Sequence, residues 1–196
     1  MFQVNEGNAI ILASESTRRV DMLRMLGIPF SIIPPDIDET KRPDETPREF
    51  VLRISYEKAN KVGKHFPDKW VIGADTIVVY KNRILGKPSG EDDAFKTLQL
   101  LKGKWHKVMT GFCVLNISRD VMYRDSVETR VFMKDLIDQE IMQYISTSEP
   151  LDKAGSYAVQ GKGGYMVKEI KGSYSNVVGL PMCEVAEALL SLGILS

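Results

Sequence analysis

The chain has 196 residues, 26 basic and 26 acidic, with 43% hydrophobic and 27% charged side chains. That length supports one domain with a real core, and the balanced charge excludes the global basic field that grips duplex DNA or RNA. Cys113 and Cys183 lie too far apart for a disulfide framework or zinc spacing, no apolar run approaches the roughly 20 residues of a membrane helix, and MFQVNEGNAI lacks a signal-peptide pattern. The expected setting is the cytoplasm, with no membrane and no nucleic acid polymer as partner.

Ile10 to Ala13 reads as a short buried strand. Ser16 is a good N-cap for a helix over Thr17 to Leu26, with Val20, Leu23 and Leu26 on one face and Gly27 as its stop. Phe30 to Ile33 is a second strand, broken by Pro34 and Pro35. Thr46-Pro47-Arg48-Glu49 is a capping box that starts a helix to about Lys64, with Phe50, Val51, Ile54 and Ala59 inward.

Trp70–Ile72 and Ile77–Val79 flank Gly73-Ala74-Asp75-Thr76, a buried strand interrupted by small and polar residues. Lys81-Asn82 is a hairpin turn, and Glu91 to Leu101 a helix ended by Gly103. Lys107–Asn116 and Val121–Met133 form an antiparallel pair, and Asp138–Ser146 a short helix. The glycine-rich stretch from Leu151 to Lys171 holds short strands near Tyr157–Val159 and Tyr165–Ile170. An apolar helix from Met182 to Leu195 closes the chain, and it and Trp105 belong to the core. Strands and helices mix without strict alternation, which points to an α/β fold with a mixed sheet.

The chemistry begins at ILASESTRR, where a strand hands over to a helix. A helix N-terminus presents unpaired amides and the positive end of the dipole. Ser14 and Ser16 add hydroxyls, and Arg18 and Arg19 add planar cationic forks suited to phosphate. Ser16 alone reads as a cap. The four together read as a polyphosphate cradle, because arginines in the first turn oppose the dipole and an anion relieves that conflict. The stretch has no P-loop glycines.

Asp75, inside WVIGADTIVVY, is costly to bury without a partner. It is a metal ligand or general base on one reading and a strand-end aspartate bonded to backbone on the other. Gly73 and Ala74 leave room for a ligand, and Thr76 adds a hydroxyl. Asp36, Asp38 and Glu39 form a loop cluster that alone reads as a solvated loop and, beside a phosphate cradle, as help in holding Mg²⁺ with phosphate oxygens. Lys58 and Lys87 are phosphate contacts or surface lysines. The glycine-rich segment from Glu149 to Pro181, which builds no helix, lines a site or is a surface loop; on the first reading Gln160 is the natural base reader, since an amide both donates and accepts. His65 and His106 show no metal spacing.

ASESTRR, GADTIVV, LGKP, Thr110-Gly111, EPLDKAGSYAVQG and GSYSNVVGLP occur in this order. Together they resemble the Maf family of nucleoside triphosphate pyrophosphatases, also called septum formation inhibitors, over nearly the whole chain. The DKAGSYAVQG form resembles the dTTP/UTP branch. Where the family usually has Ser-Pro-Arg-Arg, this chain has Ser16-Thr17-Arg18-Arg19, which loses the rigid first-turn proline and keeps the serine and arginines.

The resemblance implies one domain over 1–196, an elongated mixed sheet with flanking helices, and two lobes around a deep cleft. It implies hydrolysis of dTTP and UTP between the α- and β-phosphates with Mg²⁺ or Mn²⁺, a house-cleaning role, and a homodimer. Carried over, Asp75 is the catalytic acidic residue and, with Glu39, the metal-binding pair. Ser14, Ser16, Arg18, Arg19, Lys58, Thr76, Lys87 and Gln160 are substrate contacts. The alternatives are the same chemistry on modified or methylated purine nucleotides, or a non-catalytic nucleotide sensor inhibiting cell division.

Overall fold

The computed structural model describes residues 2–196. Its centre is strand β3 (Trp70–Tyr80), one unbroken strand of 11 residues in which GADT is a continuous part. On one edge β3 pairs antiparallel with β5 (Trp105–Asn116) from Val71 to Val79. β5 pairs with β6 (Val121–Met133), and β6 with the edge strand β7 (Val167–Lys171). The other edge of β3 is shared. Strand β1 (Ile10–Ala13) runs parallel to Trp70–Gly73 and carries β2 (Ser31–Ile32) outside it, while β4 (Arg83–Leu85) pairs with Val78–Tyr80. The residues between, Ala74 to Ile77, therefore have no strand neighbour on that edge. A mixed sheet that opens locally in this way offers a crevice at the end of β1.

The two faces of β3 carry different loads, as the period of two requires. Odd positions face helix α2 (Pro47–Gly63), where Phe50, Val51, Ile54 and Ala59 are buried as the helical spacing predicts. The Thr46 capping box is formed in full, with Thr46 Oγ1 accepting from the Glu49 amide and Glu49 accepting from the Thr46 amide. Even positions face two separate hydrophobic clusters. Trp70, Ile72 and Ala74 pack with Val20 and Leu23 of α1 (Thr17–Met25) and with Val185 and Leu189 of α6 (Met182–Ser191). Val78 packs instead with Leu98 and Leu101 of α3 (Glu91–Leu101) and Ile141 of α4 (Asp138–Ile145). Thr76 sits between these clusters.

Several expectations change. Tyr157–Val159 is not a strand. Gly155 and Ser156 enter it at φ of 70° and 60°, Gly161 leaves it at 106°, and the segment lines a cavity instead of joining the sheet. The stretch GSYSNVVG does build a helix, α5 (Tyr174–Val178). Ser173 caps it by accepting from the Asn176 amide, and Gly179 at φ 129° ends it. The second strand shrinks to Ser31–Ile32, and both residues are exposed at the sheet edge. Trp105 is only half-buried. It packs at a tilt of 47° against Phe132, with the Lys171 ammonium 4.6 Å from its ring centroid.

Candidate active site

Strand β1 ends at Ala13, and the next residues turn into α1 through two serine contacts. Ser14 Oγ accepts from the Ser16 amide at 3.1 Å, and Ser16 Oγ accepts from the Arg19 amide at 3.5 Å as the N-cap. The first turn has no acidic residue. Its positive dipole end thus keeps Arg18 and Arg19 as neighbours and lacks any counter-charge of its own. Arg18 is half-buried, and its Nε makes no hydrogen bond among the described residues.

Arg19 has a different environment. It is buried, its Nε donates to the Gly179 carbonyl at 2.8 Å, and its Nη2 donates to Thr76 Oγ1 at 3.0 Å. Burial lowers its pKa from the ordinary arginine value, against the opposing pull of the Asp75 charge. A chain of bonds continues from Thr76. The Thr76 and Thr110 hydroxyls are 2.9 Å apart, and Thr110 Oγ1 donates to the Asn176 carbonyl at 3.1 Å. With that proton engaged, Thr76 donates either to Thr110 or to the Gly179 carbonyl at 3.3 Å. Asn176 Nδ2 donates to the Val108 carbonyl and to Thr129 Oγ1. This polar seam fills the space between the two hydrophobic clusters and ties α1, β3, β5, β6 and α5 together. Sequence reasoning passed over Thr110 and Asn176 as chemistry. The Thr-Gly pair and the polar asparagine in an apolar stretch were the available signals.

On the opposite face, Asp75 and Lys58 are both buried, and Lys58 Nζ donates to Asp75 Oδ1 at 2.8 Å. The same ammonium lies 2.9 Å from Glu39 Oε1, on the exposed loop after β2. Gly73 makes this contact possible. A Cβ there would stand 2.3 Å from the Ser55 carbonyl oxygen, and one at Gly111 would stand 2.4 Å from the Val51 carbonyl oxygen. The glycine expected to admit a ligand therefore admits the backbone of α2, and so sets how close Lys58 comes to Asp75.

Ser14, Ser16, Arg18, Arg19, Thr76, Lys58, Asp75 and Glu39 line one cavity of about 690 Å³, with Thr110 and Asn176 behind its wall. Lys87 and Gln160 lie on exposed stretches of its wall, and the half-buried Lys153, which sequence reasoning did not single out, lines it too. Five basic and four acidic side chains line it, leaving a net charge of only +1. A triphosphate carries several negative charges, so a nucleotide entering with its own divalent cation suits this balance best. The donor set fits such a cation. Asp75 and Glu39 each place a carboxylate oxygen within 2.9 Å of the Lys58 ammonium, and they are the acidic groups that could hold such a cation together with phosphate oxygens. Mg²⁺ uses few protein carboxylates and completes its shell with water and phosphate. Tyr157, also on the wall, is 2.7 Å from His106 Nε2, and burial pushes that imidazole down to about 4.

Residues 9–192 match the family described as Maf-like protein. The chain belongs to the Maf family. It is similar to the dTTP/UTP pyrophosphatase of Geotalea uraniireducens, at 50% identity over 94% of this chain and 95% of that relative. It is also similar to the dTTP/UTP pyrophosphatase of Syntrophus aciditrophicus, at 46% identity over 95% of this chain and 91% of the relative. The structure resembles that of the Staphylococcus aureus Ham1 protein, with a TM-score of 0.50 at 13% identity over 94% of this chain and 98% of that one. That likeness shows a common fold. Within this fold, Asp75, Glu39 and the eight expected substrate contacts line a single cavity, whereas Asp36, Asp38 and Thr110 do not.

Proposed function

We propose that this protein is a nucleoside triphosphate pyrophosphatase acting as one unit over the whole chain. It cleaves dTTP and UTP between the α- and β-phosphates, giving the monophosphate and pyrophosphate. The observation that carries this reading is the convergence of Asp75 and Glu39 on the Lys58 ammonium, in the cavity that also receives the first turn of α1. The names of the relatives at 50% and 46% identity support pyrimidine nucleotides over modified or methylated purines. They also favour catalysis over a non-catalytic role in cell division.

In this proposal the polyphosphate lies against the Ser14–Arg18 turn, with Arg18 and Lys87 on its oxygens. Arg19 contributes fixed charge, held in place by Gly179 and Thr76. Mg²⁺ or Mn²⁺, held by Asp75 and Glu39 together with phosphate oxygens and water, would supply neutralisation of the phosphate charge. Lys58 orients Asp75 through Oδ1, so Oδ2 accepts the proton of a water whose oxygen bonds to the α-phosphorus. The bond from that phosphorus to the bridging oxygen breaks, and pyrophosphate leaves with the electron pair. Gln160 reads the O4 and N3–H edge shared by uracil and thymine. A cytoplasmic homodimer completes the proposal. No helix among the described residues is long and apolar enough to cross a membrane.

The test is pyrophosphate release from UTP, dTTP, ATP and GTP with Mg²⁺ or Mn²⁺, for the wild type and Asp75→Asn. Release selective for UTP and dTTP, lost in the variant while the circular dichroism spectrum persists, is the expected result. Near-normal turnover by Asp75→Asn, or equal rates on all four nucleotides, would refute it.

A further inference from the structure

Gln160 is exposed, and its side chain makes no hydrogen bond among the described residues. Its place on the cavity wall is set by the loop that carries it. That loop is closed by two side chains outside the wall. Glu149, in the one-turn 3-10 helix Glu149–Asp152 that follows α4, accepts from the Lys162 amide through Oε2 at 3.0 Å and from the Gly163 amide through Oε1 at 3.0 Å. Tyr144, buried on α4, donates its hydroxyl to Glu149 Oε1 at 2.8 Å and accepts from the Ala158 amide at 3.2 Å. Both ends of Ala158–Gly163 are thereby pinned to one carboxylate–phenol pair, and the three residues Ala158, Val159 and Gln160 between the pins line the cavity.

The glycines of this loop fit the clamp closely. A Cβ at Gly161, which sits at φ 106°, would stand 2.7 Å from Glu149 Oε2, and one at Gly163 would stand 2.6 Å from the Tyr144 hydroxyl oxygen. Burial opposes the Glu149 charge, but the Gly163 and Lys162 amides and the Tyr144 hydroxyl outweigh it and hold the carboxyl below the usual glutamate range. The clamp is therefore charged at neutral pH, and its bonds are of the stronger, charge-assisted kind.

We propose that Glu149, braced by Tyr144, is the positioning residue that sets where Gln160 meets the base, and so sets the preference for pyrimidine nucleotides. This rests on the reading of the cavity as a pyrimidine nucleoside triphosphate site. Glu149 touches neither substrate nor the reacting phosphorus. Replacing it with glutamine keeps the size but puts an NH₂ group where one oxygen now accepts, facing an amide N–H with another donor. The loop loses that tie, and Gln160 loses its fixed position.

The experiment is a double-mutant cycle between Glu149→Gln and Gln160→Ala, read as the UTP:ATP ratio of kcat/KM, with inhibition by pyrophosphate as the control for the phosphate end. Glu149→Gln alone should raise KM for UTP and narrow the UTP:ATP ratio by about tenfold, the equivalent of one lost charge-assisted bond. The inhibition constant of pyrophosphate should stay within about twofold. In the Gln160→Ala background the same change should leave the ratio unaltered, because its effect runs through Gln160. Tyr144→Phe in place of Glu149→Gln gives a second cycle if the first variant does not fold. A pyrimidine-selective wild type in which the two changes are additive, or in which Glu149→Gln leaves the ratio intact, overturns the proposal alone. A wild type with no preference for UTP over ATP overturns both the proposal and the reading beneath it.

Discussion

Lys58 stands 2.8 Å from Asp75, and each side chain is at least nine-tenths buried. The lysine comes from the fourth turn of α2 and the aspartate from the middle of β3, so the ion pair joins two elements that line the cavity. Breaking such a pair from one side leaves an uncompensated charge. Lys58→Met should cost about 3 kcal/mol of stability at pH 7, the lower end of the range for buried pairs. Asp75→Asn should cost less, since Lys58 keeps Glu39. Urea unfolding of both variants measures the difference, and equal costs would show that Glu39 provides no compensation.

The close approach of α2 to β3 makes Gly73 sensitive to a single methyl group. Gly73→Ala sets its Cβ against backbone atoms, at 2.3 Å from the Ser55 carbonyl and 2.8 Å from the Ala59 nitrogen, and neither can rotate away. A loss of about 1–3 kcal/mol is expected, as for overpacked cores, with turnover falling more than stability implies because Lys58 moves with the helix. Gly90→Ala is the matched control. Its Cβ meets nothing within 4 Å, so the change should cost only the glycine N-cap of α3, no more than about 1 kcal/mol, and leave turnover intact.

The polar seam gives a third expectation. Thr110→Val removes an acceptor for Thr76 and the donor to the Asn176 carbonyl in one step. Buried groups left without partners cost about 1–3 kcal/mol, which for a chain of this size lowers Tm by a few degrees. Thr110→Ser keeps the hydroxyl and should restore activity before it restores the full Tm. If valine and serine behave alike, the seam has no role in holding Arg19.

His106 predicts an acid-side effect. Its imidazole has an ordinary pKa of 6.5, which burial brings down to about 4 in the folded chain. Between those values the unfolded chain binds a proton that the folded chain refuses. Stability is complete above about pH 6.5 and falls as pH drops toward 4, by on the order of 3 kcal/mol from this group. His106→Gln should flatten the stability profile between pH 6.5 and 4 relative to the wild type. Parallel profiles would show that the imidazole is already protonated when folded.

Much of the site could be read from sequence because its residue types are conspicuous where they stand. Asp75 interrupts an apolar strand, Ser16 and the arginines crowd a helix start, and Thr46 to Glu49 spell a capping box. What could not be read was distance. Arg18 and Arg19 are adjacent in sequence, yet the buried Nε of one has no partner among the described residues and the other is bound to Gly179, a residue 160 positions away. The use of Gly73 was missed for the same reason. An absent side chain does not announce whether a ligand or a helix backbone fills the space. The segment around Tyr157 failed as a strand because local β-propensity was overridden by positive φ at Gly155, Ser156 and Gly161.

The alternation along β3 has a consequence for how the chain avoids folding wrongly. Gly73 and Asp75 share one face, and Ile72, Ala74 and Thr76 share the other. If β3 slipped by one residue against β5, the carboxylate would swing among the apolar side chains around Phe112, and isoleucine or alanine would meet the backbone of α2 where only glycine fits. Both errors arise together, and neither can be repaired without undoing the slip. The residues that serve the chemistry thus also act as a proofreading device during folding, so that a chain able to complete its sheet has its reactive aspartate on the correct side.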